Sequence, residues 1–144
     1  MPPIDWLKLV LFPTDGEPTA LDPIRIQKAL FYISRSDQIP STEKYTFVPY
    51  NYGPYSKAIY DDLDELVANQ LAVPVQNTSR RWSQYQLTPA GTEHVRQLMP
   101  EIPGEWVVLA AETRHLVTSL TFKALLRRVY AEYPDFAENS IANI

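Results

Sequence analysis

Two groups of side chains stand close enough in the sequence to do chemistry together. Five tyrosines, Tyr45, Tyr50, Tyr52, Tyr55 and Tyr60, fall with Phe47 inside sixteen residues around Gly53 and Pro54. Rings in that density either fill a junction between elements, each hydroxyl finding water or a carbonyl, or stay partly exposed as anchors at a protein interface, where tyrosine is enriched. Lys57 stands among them, and Asp61, Asp62, Asp64 and Glu65 come directly after. On a helix, Asp61 shares a face with Asp64 and Glu65 by three- and four-residue spacing, so these residues make either a solvated acidic face or a surface that steers a basic partner. Acid/base catalysis by such a set needs burial to hold one carboxyl protonated, and an exposed helix face does not supply it.

Other chemistries lack their residues. The chain has no cysteine, which removes thiolate zinc sites, thiol nucleophiles and redox pairs. His94 and His115 sit on separate predicted helices, outside any two-histidine metal motif. The glycines at 16, 53, 91 and 104 are too far apart for a phosphate loop. Neither an enzyme nor a cofactor is expected. Basic residues gather in two places, Arg80 with Arg81 and Lys123 with Arg127 and Arg128, and each could contact double-stranded DNA through a minor groove or the phosphates.

The whole 144-residue chain carries a net charge of −4 with 45% apolar residues, the profile of one ordinary globular domain without an electrostatic bias toward nucleic acid. Between Asp22 and Leu87 seven basic residues balance seven acidic ones, whereas dedicated DNA-binding domains are more often clearly basic. The longest apolar run, Leu9 to Pro13, is too short for a signal peptide or a membrane span, so a soluble, cytoplasmic protein without a membrane partner is expected.

The elements that must position these groups follow from spacing and caps. Ile4, Leu7, Val10 and Leu11 predict a helix over residues 4–12, closed by Pro13. Asp22 before Pro23 predicts a helix start, running to about Arg35 with Ile26, Leu30, Phe31 and Ile33 inward and Arg25, Lys28 and Arg35 on the surface. Tyr45 to Tyr50 reads as a strand and Asn51-Tyr52-Gly53-Pro54 as a turn; Ser56 then caps a helix to about Gln70 with Ile59, Leu63, Leu66 and Val67 on one side. Leu71–Val75 and Trp82–Leu87 predict a hairpin around a polar loop. Thr88, Pro89 and Glu93 restart a helix that stops before Pro100, and two further helices are expected over residues 105–116 and 119–133.

This order is that of a winged helix-turn-helix. The expected fold is mostly α with a small β-sheet (α+β): a single domain whose residues 1–100 form the winged-helix core and residues 101–144 a helical extension. Those last helices pack on the core or pair with a second copy. Trp106, Val107, Val108 and Leu109 are more consecutive apolar residues than one helix face needs, which points to a homodimer.

The segments Arg25-Ile26-Gln27-Lys28-Ala29-Leu30-Phe31-Tyr32-Ile33, Phe47-Val48-Pro49-Tyr50-Asn51-Tyr52-Gly53-Pro54-Tyr55-Ser56 and Ile59-Tyr60-Asp61-Asp62-Leu63-Asp64-Glu65-Leu66 resemble small prokaryotic winged-helix proteins, among them the SocA-like antitoxins or Panacea domains. The resemblance spans roughly Leu7 to Gly91. It implies a non-enzymatic fold that binds a partner protein, such as a toxin, with promoter DNA as the alternative. In the first case the site is expected at Tyr50, Tyr52, Tyr55, Lys57, Asp61, Asp64 and Glu65; in the second at Arg80, Arg81, Lys123, Arg127 and Arg128. Against ordinary major-groove docking stands the acidic face of the helix after the turn, which would oppose the phosphates.

Overall fold

The computed structural model describes residues 1–76 and 83–142. Six α-helices and two antiparallel hairpins are found there: α1 (Pro3–Leu11), α2 (Pro23–Ser34), β1 (Val48–Tyr50), β2 (Gly53–Tyr55), α3 (Lys57–Ala68), β3 (Ala72–Val75), β4 (Gln84–Leu87), α4 (Pro89–Leu98), α5 (Gly104–Ser119) and α6 (Phe122–Glu132). The expected α+β character therefore holds, with the β part divided between two separate two-stranded sheets. No helix among the described residues is long and apolar enough to cross a membrane.

Side-chain caps fix three of the six helix starts. The Asp22 carboxylate accepts from Arg25 N at 2.8 Å and the Thr88 hydroxyl from Gly91 N at 2.9 Å, each satisfying an amide that the first turn leaves free. Ser56 stands at the predicted N-cap of α3, but its side chain makes no capping bond. The last helix begins at Phe122 rather than Ser119 because Thr121 caps it, accepting from Ala124 N at 3.2 Å. Its neighbour α5 runs on to Ser119, three residues past the expected end.

Helix α2 is buried on nearly every side. Ile26, Leu30 and Ile33 pack with Trp6 and Leu7 of α1, Leu63 of α3 and Val117 of α5 in one cluster. Phe31 meets the edges of Phe47, Tyr133 and Phe136 at 5.4, 5.0 and 4.8 Å, and Arg35 lies over its ring at 4.8 Å. Two arginines tie α5 to the front of the chain. Arg114, with 0% of its surface exposed, donates to the carbonyls of Val10, Pro18 and Thr19 and so organises the link between α1 and α2. Arg25 donates from Nε to Val117 O and from NH2 to Leu120 O, both at 2.9 Å, while NH1 holds Asp22. The carbonyls at the end of α5 thus gain a cationic partner.

Leu21, just before α2, exchanges both backbone bonds with Tyr85 of β4, at 2.9 and 2.8 Å, adding a single bridge to the β3–β4 hairpin. The hairpin meets α4 so closely that Gly91 has no room for a Cβ: one would lie 1.9 Å from Leu71 O. The apolar run that suggested a homodimer is largely covered within the chain. Trp106 packs on Trp6 at 5.4 Å, Val107 and Leu109 are part-buried against the core, and Val108 alone of the four is exposed.

Candidate functional site

Strand register builds the tyrosine cluster. Tyr50 lies opposite Gly53 and Val48 opposite Tyr55, so the chain reverses through Asn51 and Tyr52. Gly53 and Pro54, expected in the turn, belong instead to β2. The glycine answers a remote contact: it has φ +87°, and a Cβ there would sit 3.1 Å from Tyr130 Cε1, so its bare backbone suits the approach of α6. Tyr50 and Tyr55 are diagonal neighbours on one hairpin face, and their rings stack at 4.8 Å with 29° between planes. Tyr60, in the first turn of α3, continues the row at 5.9 Å from Tyr55. Tyr52, in the reversal between the strands, meets Phe122 of α6 edge-on at 5.7 Å. Tyr45 leaves the cluster altogether: it is buried, with its hydroxyl donating to Asp62 at 2.6 Å. Burial, that bond and the nearby acids raise its pKa above the ordinary phenol value.

The hairpin does not lie flat on α2. Between them is a cleft of about 200 Å³ walled by Pro23 and Ile24, by the Lys28 side chain, and by Tyr50, Tyr55 and Tyr60. Gln27 fixes one edge. Its amide donates to Ser56 O and accepts from Ser56 N, both at 2.9 Å, pairing with the backbone as a neighbouring strand would. Lys28, expected on the surface, is 3% exposed, and its ammonium donates to Pro54 O at 3.0 Å. Burial pushes its pKa down to about 7, with Asp22 partly opposing the shift. Burial likewise raises the Tyr60 hydroxyl, helped by Tyr55, Tyr85 and Asp22.

Beyond the cleft, the outer face of α3 carries the predicted acids. Asp61, Asp64 and Glu65 are exposed, Lys57 pairs with Asp61 at 3.2 Å, and among the described residues Asp64 and Glu65 have no ion-pair partner. The structure therefore brings Tyr50, Tyr52 and Tyr55 to one cleft, with the Tyr52 ring also against Phe122, and sets Lys57, Asp61, Asp64 and Glu65 on the helix that follows. Of the basic candidates, Lys123, Arg127 and Arg128 are exposed on α6, where Arg128 donates to Glu132 at 2.8 Å. Arg80 and Arg81 lie outside the described residues. His94 meets Lys8 Nζ at 3.0 Å and His115 meets Glu17 at 2.7 Å. Among the described residues no three His, Cys, Asp or Glu side chains are grouped to hold a metal ion.

Lys28 and Gln27 are the residues that sequence reasoning missed. A signal was there: Ile24, Lys28 and Phe31 follow the four-and-three spacing of an inward helix face, and Lys28 continues that stripe as a charged member. No protein-family model matches the chain, and no curated protein matches it.

Proposed function

We propose that this chain is a non-enzymatic binding module of the winged-helix type, antitoxin-like in the sense of the sequence resemblance, which holds a basic partner protein on the β1–β2 hairpin and α3. The topology supports the winged-helix reading: α1, the Leu21 bridge, α2, α3 and the β3–β4 hairpin succeed one another in the order such a fold requires, with β1–β2 inserted between α2 and α3. The observation that carries the function is the juxtaposition of a 51%-exposed Tyr50, stacked on Tyr55, with the acidic face of the next helix. A stacked tyrosine offers a rigid, amphipathic anchor at low entropic cost, and unpaired carboxylates beside it favour a cationic surface. The same carboxylates disfavour a duplex, whose affinity rests largely on phosphate neutralisation.

Affinity capture with the tagged chain tests this against Asp61→Lys/Asp64→Lys and Tyr50→Ala. Wild type is expected to retain a partner that both variants lose; equal recovery by all three rejects the surface. Salt-sensitive binding to its own upstream DNA that weakens when Lys123 and Arg127 become Ala would transfer the function to α6.

A further inference from the structure

The cleft holds a cation with no countercharge. Three N–H groups belong to the Lys28 ammonium, and Pro54 O takes one of them; among the described residues no carboxylate lies within ion-pair distance. Asp22, the acid whose charge Lys28 senses, is engaged by Arg25, which donates to one carboxylate oxygen from its backbone and to the other from its guanidinium. A buried charge left in this state is costly unless something pairs with it. The walls around it are apolar and aromatic, and they are held in shape by the Gln27 clamp on Ser56 and by the close approach of Gly53 to Tyr130.

We propose that the cleft between α2 and the β1–β2 hairpin binds a small one-ring aromatic carboxylate, its ring against Tyr50, Tyr55 and Tyr60 and its carboxylate on the Lys28 ammonium. Size supports one ring: the cleft measures about 200 Å³, and an apolar cavity of about 150 Å³ holds benzene. Charge selects the anion. Tyrosine faces alone would attract an organic cation, but the lysine in the wall repels one and offers a charge-assisted hydrogen bond to a carboxylate. Burial lowers the basicity of Lys28, Asp22 offsets this only in part, and a bound carboxylate would offset it further. This site does not depend on any partner protein, so failure of the capture experiment above leaves it standing.

The test uses the purified full chain and benzoate as probe, followed by backbone amide shifts, with benzylammonium as the ring of opposite charge. Saturable shifts are expected at Lys28, Gly53 and Ser56, with no competition from benzylammonium. Lys28→Met should weaken benzoate by about ten- to a hundredfold, the loss of one charge-assisted bond. Tyr50→Ala, at a half-exposed position that tolerates truncation, should weaken it several-fold and decides the matter if Lys28→Met does not fold. Absence of saturation, benzylammonium binding as well as benzoate, or unchanged affinity in the folded variants overturns the proposal.

Discussion

Lys28 makes the stability of this protein depend on pH in an unusual direction, and Lys28→Met exposes it. In the unfolded chain the amine titrates near the ordinary 10.5; in the fold it titrates near 7. Between those values the unfolded state holds the extra proton, so stability rises with pH through this window, and below about 7 the penalty is fully present. The shift is worth about 5 kcal/mol in total, of which about 3.5 kcal/mol falls between pH 7 and 10. Methionine keeps the length and apolar contacts but carries no charge, and it forfeits the bond to Pro54 O, about 1 kcal/mol at every pH. The variant should therefore be the more stable protein at pH 6, by several kcal/mol, and lose nearly all of that advantage by pH 10. Urea denaturation of both proteins at pH 6, 7, 8.5 and 10 measures the difference, in which the titration of all other groups cancels. A difference that stays flat over this range refutes the reasoning, because a buried, unpaired ammonium cannot be indifferent to its proton.

Two further substitutions test the packing. Gly91→Ala drives a methyl group into Leu71 O, a backbone atom that cannot swing aside, and should cost about 1–3 kcal/mol, read as a lower urea midpoint with unchanged slope. Arg114→Leu fills the buried space but leaves the Val10, Pro18 and Thr19 carbonyls without their donor; a loss of about 3–5 kcal/mol is expected by thermal or chemical denaturation.

Local rules carried the sequence reading where a side chain acts on its own backbone. Asp22-Pro23 and Thr88-Pro89 announced two helix starts because their capping bonds span only three residues. Contacts that depend on remote partners were invisible. Nothing adjacent to Gly53 says that Tyr130 will press on it, so the glycine read as a turn rather than a strand. Lys28 read as a surface residue because its burial is made by the hairpin that folds over it, and its hydrogen-bond acceptor lies 26 residues away. The excess of apolar residues at Trp106 was real, but its outlet is Trp6 at the other end of the chain. In the candidate site, residue types, the acidic helix face and the inward spacing of Lys28 are legible; the cleft that closes over it is not.

The arginine at position 114 also bears on how the polypeptide matures as it is synthesised. Its acceptors, Val10 and Pro18, lie 104 and 96 residues upstream, so the first third of the protein leaves the ribosome long before the group that closes it. Such distant pairings slow folding, and until they form, the carbonyls of the first loop must be served by water. A nascent chain that has not yet reached position 114 therefore has no donor of its own for these carbonyls.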